Sequence, residues 1–506
     1  MQNHVLDYLN EIVKKVPDKI AFANDVEGFS FREVYEQCHA IGTFLSRQGF
    51  YRKPIVVFME KHPKTIISFF GVIAAGCYYV PIDEEMPQQR IDLILENCKA
   101  ELIICDDHTK EKAEQFQFNG RIVRYDEMVS TTPDEALVQQ IHDKALDIDP
   151  IYIVFTSGST GVPKGVAACH RSVIDYIEQL CDVLEFDENT VFANQTPLYF
   201  DACLKELYPT LKYGATTYLV PKSLFSFPVK LVEFLNEHKI NTVCWVVSAL
   251  TMISAFGTFQ IVKPKYLRTI AFGSEVFPLK QFKLWKEALP EASFTNLYGP
   301  TEGTGMCCYF KVDRELQEGE PIPIGRPFKN TEILLLDEKN QLANEGEICI
   351  RGTSVTLGYY NNPEKTKEVY VQNPLNTSYP EIIYRTGDIG TYNERGELVF
   401  VSRKDYQIKH MGHRIELGEI EANVNALSQI KMCGCIYDDE KGKIVLYYVG
   451  DCNAKELVAC LKERLPRYML PNHIKQLEQL PFTANGKIDR VTLKNKYKEE
   501  RKNGRD

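Results

Sequence analysis

Ten positions from Thr156 to Gly165 hold three glycines, four hydroxyl side chains and one lysine. They read Thr156, Ser157, Gly158, Ser159, Thr160, Gly161, Val162, Pro163, Lys164, Gly165. The apolar, β-rich run Ile151 to Phe155 comes directly before them, so a buried strand should open into this loop. Such a loop can bring backbone N–H groups, hydroxyls and an ammonium against phosphate oxygens. A flexible linker of similar composition would not carry a fixed Pro-Lys-Gly end straight after a buried strand. The common NTPase loop is also excluded: counting from Gly158, Pro163 stands where that motif needs its second glycine.

Four further motifs follow in order. They are Tyr298-Gly299-Pro300-Thr301-Glu302; Tyr384-Arg385-Thr386-Gly387-Asp388; Arg403-Lys404-Asp405 with Gly412 to Glu421; and Asn485-Gly486-Lys487-Ile488-Asp489-Arg490. With the loop, the set resembles the adenylate-forming superfamily: acyl-CoA ligases, luciferase-like enzymes, peptide-synthetase adenylation domains and D-alanine–carrier-protein ligases. The resemblance spans nearly the whole chain. It implies an α/β protein in two parts. The core, residues 1–403, would hold two βαβ sheets and a distorted β-barrel. A mobile α+β lid, residues 404–506, would swivel on Asp405.

Forming an acyl-adenylate requires an in-line carboxylate, neutralisation of growing negative charge, and exclusion of water. By resemblance, Thr156, Ser157, Gly158, Ser159, Thr160, Gly161 and Lys164 hold the ATP phosphates. Thr301 and Glu302 meet the α-phosphate and Mg²⁺, for which a carboxylate is a suitable hard ligand. Asn296 and Tyr298 meet adenine, and Asp388 and Arg403 meet ribose. Lys487, in a turn-forming Asn-Gly context, would reach in as a mobile ammonium bridging substrate and nucleotide.

Phe200-Asp201-Ala202 resembles the segment that sets an aspartate against the α-ammonium of an amino acid, although Asp also suits a helix N-cap. The pocket positions that follow by resemblance are Ala202, Lys205, Trp245, Ile270, Phe272, Leu297, Gly305 and Met306. Trp245, Phe272 and Met306 are bulky and favour a small side chain such as alanine. Lys205 dissents: turned inward, its charge needs a partner, which a short acidic amino acid would supply; turned outward, it carries no information. The expected reaction is aminoacyl-AMP formation with release of pyrophosphate, then transfer to the phosphopantetheine thiol of a separate carrier protein. Neither a His-His-x-x-x-Asp-Gly condensation motif nor a Leu-Gly-Gly-x-Ser carrier motif occurs in the sequence. The alternative is an acid–CoA ligase using free coenzyme A.

The elements that must position these groups are legible. Strands are expected at Ile55 to Met59, Leu102 to Cys105 and Thr242 to Val247, with helices from Thr65 to Ala75 and from Ser248. That alternation indicates parallel βαβ sheets. Glu332 to Asp337 and Gly346 to Arg351 read as short antiparallel strands. Beyond Asp405 come a helix from Ile415 to Leu427, a strand from Lys443 to Val449 and a helix from Ala454 to Leu465. At 506 residues, two or three domains are expected.

With 44% hydrophobic and 25% charged residues, the chain is neither disordered nor fibrous. Fifteen cysteines cannot all pair, and no Cys-x-x-Cys occurs, so reduced thiols in a cytoplasmic enzyme are expected rather than zinc. No apolar run is long enough for a membrane span. The segment from Asp405 onward carries 18 Lys and Arg against 15 Asp and Glu, within a chain of net charge −10. Its interleaved charges and scarce aromatics argue against nucleic acid, while a mildly basic lobe suits an acidic carrier protein.

Overall fold

The structure, a computed structural model, describes residues 2–158, 161–404, 406–482 and 488–502. It divides into two units. The first comprises Met1–Glu84, Asn97–Phe155 and Gly165–Lys404; the second comprises Glu85–Glu96, Thr156–Lys164 and Asp405–Asp506.

Among the described residues, the apolar runs of the first unit form a six-stranded sheet, a nine-stranded sheet and a five-stranded sheet. Pro54–Phe58 lies parallel to both Tyr78–Ile82 and Leu102–Cys105. In the nine-stranded sheet, Thr242–Val246, Thr269–Gly273 and Ser293–Tyr298 are consecutive parallel neighbours. The helix expected from Thr65 starts earlier and spans Pro63–Ala74. A proline is favoured in the first turn, and the His62 ring accepts the Lys64 N–H as a cap. The barrel-like segment is an antiparallel five-stranded sheet containing Thr331–Leu336, Glu345–Gly352, Ile382–Tyr392 and Leu398–Arg403.

Register decides which side chains share a face. Trp245 lies opposite Phe272, and Phe272 opposite Asn296. Because side chains alternate along a strand, Trp245, Ile270, Phe272 and Asn296 point to one side, and Cys244, Ala271 and Leu297 to the other. The two sides feed separate cores. Trp245, Ile270 and Phe272 pack with Leu231, Phe277 and Trp285. Cys244, Ala271, Leu297 and Met306 join the core that includes Tyr176, Leu204 and Leu207.

A 3₁₀ turn at Asp201–Cys203 runs straight into the helix Leu204–Tyr213. Pro209 lies inside this helix, so no N–H is available there for the carbonyl of Lys205. Gly214, left-handed at φ +71°, ends it.

In the second unit, Gln407–His410 and His413–Glu416 form a hairpin. Both loop residues, Met411 (φ +51°) and Gly412 (φ +79°), are left-handed, the geometry of a two-residue type I′ turn. The helix expected from Ile415 begins at Leu417 and runs Leu417–Asn425. Ile415 and Glu416 instead pair with Ile408 and Gln407 across the hairpin. Ile430–Asp438, Lys443–Gly450 and His473–Gln476 complete this unit's sheet. Among the described residues no helix is long and apolar enough to cross a membrane, and all the cysteines are free thiols.

Candidate functional site

In the first unit, Ser293–Tyr298 delivers Pro300 into a 3₁₀ turn, Thr301–Gly303, followed by Thr304 and Gly305 with left-handed backbone. The turn buries Glu302 completely. Its Oε1 accepts a hydrogen bond from the Tyr359 hydroxyl at 2.7 Å. The Thr301 hydroxyl donates to Asp201 Oδ1 at 3.3 Å. Sites 100 residues apart in sequence thus converge on one buried acidic patch. Burial pushes the Asp201 carboxyl up to about 6; the Lys205 charge and the Thr301 hydroxyl pull it down, and the Glu302 charge raises it further.

A second cluster surrounds Asp388. Antiparallel register sets Asp388 directly opposite Arg403. Arg403 Nη1 donates to Asp388 Oδ1 at 2.6 Å, and the Tyr298 hydroxyl donates to Oδ2 at 2.5 Å. An ionised carboxylate has about four acceptor positions, so Asp388 keeps capacity for two hydroxyl donors such as those of a ribose. Asn296 donates its amide to Pro323 O at 2.8 Å.

In the second unit, the glycine-rich loop is closely fitted. A Cβ on Gly158 would meet Val162 O at 2.1 Å. Gly161 has φ +82°, and a Cβ there would meet Ala422 at 3.2 Å. The Gly158 N–H donates to a carboxylate oxygen of Glu419 at 3.2 Å, and Glu419 is ion-paired with buried Arg90. Burial raises the Glu419 carboxyl against the pull of Arg90. Ser157 Oγ donates to Arg414 O, and Lys164 Nζ lies 3.9 Å from Glu416. Thr156 Oγ1 is buried with no hydrogen-bond partner among the described residues. An N–H already facing an anionic oxygen, a buried lysine and an orphaned hydroxyl fit a loop that holds phosphate. Buried Glu302 is a hard-oxygen donor that fits Mg²⁺.

The profile of the AMP-binding enzyme family matches residues 9–360, and that of the AMP-binding enzyme C-terminal domain matches residues 419–487. The chain belongs to the AMP-binding enzyme family. Within this adenylate-forming superfamily it is 31% identical over 493 residues to gramicidin S synthase 2 of Aneurinibacillus migulanus. That match covers 96% of the chain but 11% of the synthase, so the chain spans about a tenth of that relative's length. It is 29% identical to D-alanine–D-alanyl carrier protein ligase of Bacillus licheniformis, covering 97% of this chain and 99% of that one. The fold is that of NpsA-ThdA from Klebsiella oxytoca, an artificially fused adenylation–carrier di-domain (TM-score 0.80, 21% identity, 93% of each chain).

Of the residues that resemble the family's motifs, the structure brings Asp201, Thr301 and Glu302 together, and likewise Tyr298, Asp388 and Arg403. Ala202 lies half-buried beside Asp201, and Gly305 packs against the Tyr176 ring. Trp245 and Phe272 do not meet Leu297 and Met306. The Trp245 indole N–H is held by Ala193 O at 2.6 Å and its ring packs edge-on to Phe225; Phe272 packs on Phe277. Ser159, Thr160, Asp405 and Lys487 lie outside the described residues. Three contributors had no motif to announce them. Tyr359 follows a lone glycine. Tyr176 sits in an amphipathic helix. Lys61, its amine pushed down to about 7 by burial, donates to Asn194 O and Gln195 O.

Proposed function

We propose that this chain activates an amino acid with ATP. The substrate carboxylate attacks the α-phosphorus, the bond to the leaving pyrophosphate breaks, and aminoacyl-AMP forms. The phosphopantetheine thiol of a separate carrier protein then attacks the acyl carbon, loses its proton, and releases AMP. The observation that carries the reading is Asp201: a buried carboxylate hydrogen-bonded to Thr301 and beside Glu302. A fatty or aromatic acid brings no cation to that group. An α-ammonium does, and it compensates a charge that burial disfavours.

The residue roles are those that the family resemblance implies, supported by the contacts of the described residues. Asp201 orients the amino group, so the carboxylate is held toward Thr301. Tyr298, Asp388 and Arg403 hold the nucleoside. Thr156, Ser157, Gly158, Gly161 and Lys164, with Ser159 and Thr160, hold the phosphates. Glu302, steadied by Tyr359, would hold Mg²⁺, which when bound neutralises charge developing on the phosphates. Lys487 supplies a further cation from the lid. A short side chain is favoured, since the pocket positions Asp201, Lys205, Leu297 and Met306 are all buried.

ATP–pyrophosphate exchange across the amino acids, followed by loading of a phosphopantetheinylated carrier against free coenzyme A, tests the proposal. Exchange that needs an α-amine, with transfer to the carrier, is expected. Exchange with amine-free acids and thioester formation on coenzyme A alone would replace this reading with that of an acid–CoA ligase.

A further inference from the structure

Lys61 follows the strand Pro54–Phe58 of the six-stranded sheet, just beyond its C-terminal end. The residue is half-buried, with its ammonium turned onto backbone oxygens of the nine-stranded sheet. Its Nζ donates to Asn194 O at 2.8 Å and to Gln195 O at 3.0 Å, with Val220 O at 3.4 Å. These oxygens lie where Val191–Asn194 and its parallel neighbour Thr216–Leu219 end, and ligands of parallel α/β sheets sit outside the carboxyl ends of the strands. A surface lysine keeps its charged head in water and buries only its stem. Lys61 does the opposite, at a cost: burial pushes its amine down to about 7, with the Glu206 charge opposing that shift and Lys222 adding to it.

The segment that Lys61 anchors is the one that carries Asp201. The chain leaves the sheet at Gln195 and turns at Pro197, whose carbonyl accepts the Phe200 N–H at 3.2 Å. It then enters the Asp201–Cys203 turn and the helix Leu204–Tyr213. The two ends of this segment are held together, because Asn194 donates its side-chain amide to Glu206 at 3.2 Å. Lys61 stands at that neck. It donates to both carbonyls on the entering side, and its charge favours the ionised form of Glu206 on the leaving side. Asn194 and Glu206 are fully buried, so losing Lys61 would leave polar groups at the neck without the donor they have.

We infer that Lys61 is a positioning residue for amino-acid activation: by gripping Asn194 O and Gln195 O at the neck of the segment 195–206, it fixes where Asp201 presents its carboxylate to the substrate amine. The inference rests on the amino-acid reading and deepens it. Lys61 acts through Asp201 rather than on the reacting atoms. Its removal should therefore disturb the amino acid, which Asp201 orients, and spare the nucleotide, which Tyr298, Asp388 and Arg403 hold. A strut that merely joined the two sheets would affect both substrates alike.

The test is ATP–pyrophosphate exchange by Lys61→Met, which keeps the stem and removes every donor, and by Lys61→Gln, which keeps an amide donor. Each is measured with the amino acid that the wild type prefers and with its amine-free analogue, and thermal unfolding reports the folded fraction. A misplacement of about 1 Å remote from the chemistry can cost about a hundredfold in rate. In Lys61→Met the amino-acid KM should rise at least about tenfold, the ATP KM should stay within about twofold, and the preference for the amine-bearing substrate should fall about tenfold or more. Lys61→Gln should move the same quantities in the same direction by less, and it decides alone if Lys61→Met does not fold. Both KM values moving in step, or both KM values and the amine preference unchanged, overturns the inference and leaves the amino-acid reading intact. A wild type that exchanges the amine-free acid as readily as the amino acid overturns the reading and the inference together.

Discussion

Asp201→Asn should make the protein more stable and less active, with opposite consequences traceable to one group. The Asp201 carboxyl is held at about 6 against an ordinary 3.8, and the residue is 7% exposed. The difference of about two pKa units corresponds to about 3 kcal/mol, already net of the attraction to Lys205. The sign follows from proton uptake. Between 3.8 and about 6 the folded state retains a proton that the unfolded state has lost, so stability falls as pH rises through that window. Above it the full penalty applies. Asparagine preserves an oxygen for the Thr301 hydroxyl but cannot ionise. Thermal unfolding of the two proteins should therefore nearly coincide at pH 4 and diverge at pH 8, with the variant higher by the equivalent of up to about 3 kcal/mol. Amino-acid binding should raise the wild-type midpoint and leave that of the variant unmoved. Exchange should drop by about 30-fold to several thousandfold, the range for losing one partner of a buried charged contact worth about 2–5 kcal/mol. Exchange within threefold of wild type, or a stability gap no wider at pH 8 than at pH 4, would refute the assignment of Asp201 as a buried counter-ion.

Tyr359→Phe removes the hydroxyl that holds Glu302 at 2.7 Å; the Mg²⁺ concentration giving half-maximal exchange should rise several-fold while the far-UV spectrum stays unchanged. Asp405→Pro fixes φ near −65° at the proposed hinge, so it should keep pyrophosphate exchange and lose transfer to a carrier. Lys487→Ala should lose exchange and still transfer from supplied aminoacyl-adenylate; equal loss of both steps in both variants counts against a swivelling lid. Burial pushes the His170 ring down to about 3, with the charge of His142 adding to the effect, while its Nδ1 accepts the Val5 N–H. The unfolded ring takes up a proton near 6.5, so this contribution is complete above 6.5 and is lost as pH falls toward 3. By pH 5 it amounts to about 2 kcal/mol. His170→Gln, which can still accept from Val5, should lose less stability than wild type between pH 7 and pH 5 in a denaturant titration.

Strands and glycine-rich turns were legible because their signals are local. Leu102–Cys105 is an unbroken apolar run, and Gly158 and Gly161 stand where a side chain would collide with Val162 O or Ala422. The helix starting at Leu417 was misjudged by two residues. Ile415 fits a helical pattern, but the tight turn at Met411 and Gly412 closes a hairpin that claims it as a strand residue. Tyr359 and Lys61 were invisible, since their partners, Glu302 and the carbonyls of Asn194 and Gln195, lie 57 or more residues away.

The pocket shows most directly what a linear pattern omits. Family resemblance names Trp245, Phe272, Leu297 and Met306 together, and the bulk of Trp245, Phe272 and Met306 suggests a shortened cavity. Strand parity then separates them, because a residue's face depends on the register of its strand against its neighbours. Trp245 and Phe272 fill the core on one side of the sheet, and Leu297 and Met306 join the other. Volume is therefore the weaker guide to what this site accepts, and charge the stronger. The sequence supplies a lysine four residues after Asp201, equally compatible with a solvated side chain and a buried one. Lys205 is 3% exposed, which removes the first alternative. The Lys205 charge is the foremost one favouring ionisation of both Asp201 and Glu206, so three ionisable side chains close in sequence set the charge of this part of the protein together.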